Sequence, residues 1–260
     1  MKDKLIILII TILPEFLVLL LKQAHIALLS GSLLEYKNII KLLYHTHENI
    51  NCPICSWKGV LFDYIDRFDA RCPRCGSLER HRMQFLVLSK LASDGGLSTK
   101  SCLHIAPEPF IKQVLEKWFD KYMSTDLIMK NVNFRSDLTK VPVGNESFDF
   151  IYCSHVLEHI PNDRLALKEI YRALRINGTA LLAVPVLYDK TIEYNEPNLE
   201  EFGHVRGIGP DYLDRFSEIA FQVKIISSDD FHSDKNRTRY RFFKRYRNNV
   251  PNYVILCYKK

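Results

Sequence analysis

The sequence predicts an α/β chain: a parallel sheet with helices on both faces, preceded by a small four-cysteine module and a hydrophobic N-terminal helical segment. Three observations carry this expectation. From about residue 101 onward, short apolar runs alternate with amphipathic ones, the sequence form of strands joined by crossover helices. Upstream, two close cysteine pairs stand 16 residues apart. Before them lie two strongly apolar stretches, 5–21 and 25–44.

Strands are expected at 101–106, 122–125, 148–153 and 179–184, with a short connection near 132–135. Helices fall near 110–119 and 163–175, the second capped by Asn162 or Asp163 and followed by Gly178. Segments 222–227 and 252–258 can close the sheet as two later strands. A further helix is expected over 78–91, ending before the Asp94-Gly95-Gly96 break.

The run 5–21 follows Lys2 and Lys4 and is interrupted by Thr11, Pro14 and Glu15. A spanning helix needs about 20 apolar residues and a signal peptide needs a small-residue cleavage site. Neither description fits, so the segment is expected to lie in or against a membrane surface with Lys22 at its edge, or to pack as a helix on the sheet domain. The stretch 25–44, with Gly31 near its start, reads as one or two helices. The organisation expected is therefore a hydrophobic helical segment at 1–48, a cysteine module at 49–82 and the α/β domain at 83–260.

At 260 residues, 47% hydrophobic and 25% charged, the chain has enough apolar material for one α/β domain and a smaller unit, which excludes a disordered or fibrous protein. Its net charge of +6 suits an anionic partner or membrane face. Seven cysteines, four of them paired, suggest metal chemistry in a reducing compartment, so the folded body is expected in the cytoplasm, at the inner face of a membrane if 5–21 rests there.

Cys52-Pro53-Ile54-Cys55 and Cys72-Pro73-Arg74-Cys75 form a C-x2-C-x16-C-x2-C pattern. Four thiolates complete the tetrahedral coordination that Zn²⁺ prefers and leave no position for water, so the role expected for Cys52, Cys55, Cys72 and Cys75 is structural. Gly76 suits the tight turn after the last cysteine. Two disulfides or a redox C-x-x-C pair share this spacing. Cys102, Cys153 and Cys257 fall in expected strands and read as buried, inert thiols.

Ligands of an open parallel sheet bind beyond the carboxyl ends of its strands. There the chain places His104-Ile105-Ala106-Pro107-Glu108, then Asp126-Leu127 20 residues after Ala106, then Asp137-Leu138. Asp126 can accept hydrogen bonds from ribose hydroxyls; Asp137 can accept one from an adenine amino group while Leu138 packs on the ring. The segment from Ser147 to Ile160 (SFDFIYCSHVLEHI), followed by Ala166-Leu167-Lys168-Glu169, Tyr171-Arg172-Ala173-Leu174 and Asn177-Gly178-Thr179, resembles the class I methyltransferases called type 11 methyltransferase domains. The resemblance spans about 101–221 and extends to zinc-ribbon-bearing members, in which a segment like Cys72-Pro73-Arg74-Cys75-Gly76-Ser77-Leu78-Glu79-Arg80-His81-Arg82 precedes the domain.

The resemblance implies a Rossmann-like seven-stranded methyltransferase sheet, S-adenosyl-L-methionine as cofactor, and Ser154, His155 and Val156 in the cofactor cleft. One departure stands out. The family's first motif is glycine-rich, whereas here Ala106 replaces the first glycine, Pro107 lacks a backbone donor and Glu108 adds a side chain. Glu108 or His104 can instead meet the amino-acid end of the cofactor.

Methyl transfer requires alignment of the acceptor and, for a hydroxyl or amine, removal of its proton. His155 and His204 are candidate bases, and Arg206 a candidate anion clamp. His155-x-x-Glu158-His159 also matches an inverted zinc-protease pattern, but Pro161 argues against the sustained helix this needs. The function expected is methylation of a small-molecule or glycan-type acceptor. RNA methylation through the basic, aromatic segment 235–247 is the alternative, as is a binding or scaffold protein with a degenerate cofactor site.

Overall fold

A computed structural model of the 260-residue chain describes residues 14–44, 50–65, 67–231 and 251–260. The basic segment 235–247 and the first part of the apolar run, 5–13, lie outside the described residues.

Pro14 precedes the first helix, α1 (Glu15–Ser30), and Glu15 favours the positive end of its dipole. Glu15 thus opens a helix; in the sequence it had read as an interruption of an apolar one. Gly31 ends α1 in the left-handed region at φ 60°, its amide donating to Ala27, and α2 (Leu33–Tyr44) turns back alongside. Among the described residues no helix is long and apolar enough to cross a membrane.

The helical pair packs on the cysteine module rather than on the sheet domain. Leu19 and Leu42 join Ile50, Trp57, Val60, Leu61 and Phe62 in one buried cluster with Cys52 and Cys72. A polar belt completes the contact. The Asn38 side chain donates to the Asp63 carbonyl at 3.1 Å and accepts from the Asp63 amide at 2.8 Å, Lys41 pairs with Asp63 and Asp69, and Arg71 with Glu35 at 2.9 Å. The outward side of the pair remains apolar, with Leu28, Leu29 and Leu33 each about 70% exposed.

Within the module, β1 (Phe62–Tyr64) and β2 (Arg67–Arg71) form an antiparallel hairpin between the cysteine pairs. The sequence reading did not separate these strands, because Phe62–Arg71 mixes charged and aromatic residues without clear alternation. The next helix, α3 (Glu79–Gly95), starts within the module and runs onto the sheet domain, so the boundary expected at 82 falls inside a helix.

The sheet domain contains β3 (Ser101–Ile105), α4 (Pro109–Trp118), β4 (Lys121–Asp126), β5 (Phe134–Arg135), β6 (Phe148–Ser154), α5 (Asp163–Ala173) and β7 (Leu174–Ala183). An outlying hairpin, β8 (Ile192–Asn198) and β9 (His204–Gly207), precedes the short α6 (Asp214–Ser217), β10 (Gln222–Ser227) and β11 (Tyr253–Tyr258). The seven-stranded order is β10-β11-β7-β6-β3-β4-β5, with β11 antiparallel to both neighbours and the central pairs parallel.

The two-residue period of the strands sends Leu103, Ile105, Ile151 and Cys153 to one face and Cys102, Phe150 and Tyr152 to the other. On the first face α5 supplies Ala166, Leu167, Ile170 and Ala173. On the second, α3 supplies Met83, Val87 and Leu88 and α4 supplies Ile111 and Leu115. Helices therefore cover both faces, as expected. β7 begins at Leu174, earlier than the expected 179, because Leu174 already pairs with Phe148 before a register shift. Gly178, read as a helix terminator, sits in that irregularity, where a Cβ would come within 2.8 Å of the Arg175 carbonyl and Leu174.

Candidate active site

The four cysteines converge. Cys52 Sγ lies 3.7 Å from Cys75 Sγ, and Cys55 Sγ lies 3.6 Å from Cys72 Sγ, with no disulfide among them. A tetrahedral ion with bonds of about 2.3 Å needs sulfur separations of about 3.8 Å, so the four thiolates fit one metal ion. Both pairs use the same turn: Ser56 and Gly76 donate to the carbonyls of Cys52 and Cys72 at 2.9 Å, and both take positive φ, 62° and 78°. Glycine meets this need at Gly76, whereas Ser56 adopts it as a non-glycine residue.

Four polar side chains just beyond the last cysteine are almost wholly buried: Glu79, His81, Arg82 and Gln84, none more than 3% exposed. They couple the module to the sheet. Arg82 donates to the carbonyls of Ala70 and Ser77 at 2.9 Å, and Glu79 pairs with Arg67 at 3.1 Å. Gln84 donates to Ser154 at 3.0 Å and accepts from Tyr152.

At the carboxyl end of β3, Ala106 holds the left-handed conformation at φ 50° and donates to Thr125 at 2.9 Å. It keeps the backbone shape that a glycine would take. Glu108 stands just before α4, with Pro109 in the first turn, its carboxylate facing two buried histidines. His81 Nε2 lies 3.4 Å from Glu108 Oε1, and His104 Nε2 lies 3.5 Å from Oε2. The Leu78 amide donates to His81 Nδ1 at 3.0 Å, which leaves the proton of a neutral ring on Nε2, toward Glu108. Burial pushes His81 down to about 3 and also lowers His104. Burial works to raise the Glu108 carboxyl, but the contacts with His104 and His81 outweigh it and hold the group below the usual carboxylate range.

His81 Nε2, His104 Nε2, Glu108 Oε2 and Thr125 Oγ1 are all buried without a hydrogen-bond partner. Such convergence of unpaired polar atoms is costly unless a ligand completes it, and an α-ammonium with its carboxylate supplies matching donors and acceptors. Asp126 and Asp137 stand at the ends of the next two segments. Asp126 Oδ1 accepts from Ile128 and Met129, and Asp137 Oδ1 from Thr139, each at 2.8 Å, so both loops are shaped by their acids. Leu138 turns into the core, contrary to the role expected for it, because it fills space against Val141 and Phe148. Exposed apolar surface here comes instead from Leu127, Ile128 and Met129.

A separate cleft of about 680 Å³ opens between the cysteine module and the ends of β6 and β7. Tyr64, Ile65 and Arg67 of the module, Arg80, His155, Glu158, His159, Tyr188, Glu201 and His204 line it. His155 takes φ 55° immediately after β6, and its Nδ1 lies 3.1 Å from Glu158 Oε1. Burial lowers His155 and His204 and raises the fully buried Glu158. His204 Nδ1 lies 3.4 Å from Glu201 Oε2, and the Glu201 carboxylate accepts from the hydroxyls of Tyr188 and Tyr194. Both tyrosines crowd over Gly207, where a Cβ would stand 2.5 Å from the Tyr194 hydroxyl.

Arg206 does not reach this cleft as an anion clamp. It is 1% exposed and donates to the carbonyls of Leu157, Ile160 and Pro161 at 2.7, 2.8 and 2.9 Å, with Glu193 at 3.0 Å. Its guanidinium stitches β9 to the single 3₁₀ turn Leu157–His159, which replaces the long helix an inverted zinc-protease pattern requires. Ser154 ends β6 and Val156 directly precedes that turn, Ser154 accepting a hydrogen bond from Gln84.

Sequence reasoning missed Glu79, Arg80, His81 and Gln84. Their signal was a polar run, Glu79-Arg80-His81-Arg82, on a helix whose surroundings are apolar.

A family model described as Methyltransferase domain matches residues 108–182, from Glu108 into β7. Among solved structures, an S-adenosylmethionine dependent methyltransferase from Mesorhizobium loti is 12% identical, with 66% of this chain and 96% of that chain covered and a TM-score of 0.50. The [4+2]-cyclase SpnF is likewise 12% identical, with coverage of 68% and 80% and a TM-score of 0.50. The YcgJ protein from Bacillus subtilis is 16% identical over 68% of this chain and 99% of that chain, at a TM-score of 0.44. The two likenesses at a TM-score of 0.50 show a shared fold. No curated protein sequence matches the chain.

Proposed function

We propose that this chain is a class I S-adenosylmethionine-dependent methyltransferase and that it methylates a small-molecule or glycan-type acceptor bound between its cysteine module and its sheet. The observation that carries this reading is the adjacency of two unlike sites. One is a set of buried, unpaired polar atoms at the end of β3; the other is an open cleft beside it, lined by histidines and tyrosines.

S-adenosylmethionine, when bound, supplies an activated methyl group on a sulfonium sulfur. Glu108, with His81 and His104 behind it, is suited to the amino-acid end of the cofactor, replacing the absent glycine loop. Asp126 is suited to the ribose, Leu127 and its exposed neighbours to the adenine face, and Asp137 to the adenine edge. Ala106 and Pro107 shape the loop, and Ser154, His155 and Val156 form its far wall.

In the acceptor cleft, His155 and His204 are held neutral at neutral pH by burial, the form able to take a proton. Glu201 orients His204, and His155 stands closest to the cofactor side by its place at the end of β6. The cysteine module takes zinc as a closed structural ion and contributes Tyr64, Ile65 and Arg67 as one wall. The apolar outward side of α1 and α2, with Leu28, Leu29 and Leu33, provides the contact with a membrane surface.

Incubation with methyl-labelled S-adenosylmethionine and cell extract tests the reading. Label is expected in the small-molecule or glycan fraction, lost with His155→Ala. Label in RNA, or in no fraction, would overturn it.

A further inference from the structure

Glu158, His159 and His204 form a second group of ligating side chains, distinct from the four cysteines. One donor atom of each lies within 4.8 Å of the other two. Glu158 and His159 are consecutive on the 3₁₀ turn, and His204 opens β9. The hydrogen bonds from Arg206 to Leu157, Ile160 and Pro161 fix those two elements against each other, so the three side chains are brought together by a rigid support.

Glu158 is fully buried, yet its Oε2 has no hydrogen-bond partner. A buried carboxylate oxygen left unpaired is unfavourable and calls for a cation or a donor. The remaining atoms around it are already arranged as supports. Glu158 Oε1 meets His155 Nδ1 at 3.1 Å, and His204 Nδ1 meets Glu201 Oε2 at 3.4 Å. A carboxylate on one ring nitrogen holds the other as a lone-pair donor, the arrangement that accompanies histidine ligands of metal ions. The rings of His159 and His204 stand edge to face with centroids 4.7 Å apart, so small rotations let both address one point.

We propose that Glu158, His159 and His204 bind a divalent transition-metal ion at the edge of the acceptor cleft. Two imidazoles and one carboxylate favour zinc, iron or manganese over magnesium or calcium, which prefer all-oxygen sites. Three protein ligands leave positions open toward the cleft, unlike the closed four-cysteine site. An acceptor hydroxyl bound there would become more acidic, while His204 would act as a ligand. That last role rests on the reading of the cleft as the acceptor site; metal binding itself does not.

The test is a cobalt(II) titration of the full chain with its four-cysteine site already filled with zinc, without cofactor or acceptor. A second equivalent is expected, with visible bands but no thiolate-to-cobalt charge-transfer absorption. His159→Ala, at an exposed position, and His204→Ala should each weaken it by at least about tenfold, while the zinc content stays at one ion. Absence of a second equivalent, or a second equivalent indifferent to both substitutions, overturns the proposal. Cobalt binding as expected in a protein that transfers no methyl group would support the metal site and defeat only the functional reading.

Discussion

Removing the Arg206 side chain is expected to destabilise the whole domain. The guanidinium is buried and bonded to three carbonyls, with Glu193 at 3.0 Å and Asp163 at 3.6 Å. Glu193 is half exposed, so that pair contributes little. Asp163 keeps Arg215 at 2.5 Å and is not left alone. What Arg206→Ala exposes is therefore the three carbonyls and a cavity. Leaving buried carbonyls unpaired costs about 1–3 kcal/mol each, and with partial relaxation around the cavity about 3–5 kcal/mol is expected in all. With an unfolding entropy of roughly 0.5 kcal/mol/K for a chain of this size, the melting temperature should fall by about 6–10 °C. Circular-dichroism melts at neutral pH read this directly, and Arg206→Lys, which keeps the charge but not the fork, should fall between. A melt within about 1 °C of the parent, with weakened acceptor use, would restore the anion-clamp role and refute the structural one.

Acid should destabilise the protein from about pH 6.5 downward. His81 titrates near 3 in the folded chain, so below its unfolded value the unfolded state takes up a proton that the folded state refuses, and stability falls as pH drops. The difference corresponds to at most about 4–5 kcal/mol, and His81→Gln should flatten the dependence in pH-resolved denaturant melts; an unchanged slope would contradict the assignment. Cys55→Ser should release the metal ion, open the cluster around Trp57 and Leu61, and abolish acceptor methylation while cofactor binding persists. Metal analysis and calorimetry on the same sample check this, and retained metal or retained activity would count against it. Gly207→Ala should displace Tyr188 and Tyr194 from Glu201 and raise the KM for the acceptor more than about fivefold, with the cofactor affinity unchanged.

The sheet was legible because strands buried on both faces leave continuous apolar runs, as at Leu103, Ile105 and Phe150–Cys153, and because helices covering them keep a 3.6-residue period. The four-cysteine cluster was legible because two C-x2-C turns, a spacing that suits chelation, bring their thiols together in space as well. The β1–β2 and β8–β9 hairpins were not, since apart from Phe62 and Ala70 their side chains serve cleft and salt bridges rather than a core. Arg206 was misread for the same reason that His81 was missed. An isolated charged residue in sequence carries no mark of burial, and only the fold shows that carbonyls of the 3₁₀ turn surround one and Glu108 faces the other. Leu138 shows the converse, a leucine beside a promising carboxylate that the core had claimed.

Isothermal calorimetry of S-adenosylmethionine binding to the metal-loaded full chain, alongside Glu108→Gln and Asp126→Asn, bears most directly on the cofactor site. One equivalent is expected to bind, weakened by roughly 10–100-fold in Glu108→Gln as a charge-assisted contact is lost. No binding heat from a folded chain that retains its metal, or binding indifferent to both substitutions, would contradict the placement of the cofactor at the end of β3.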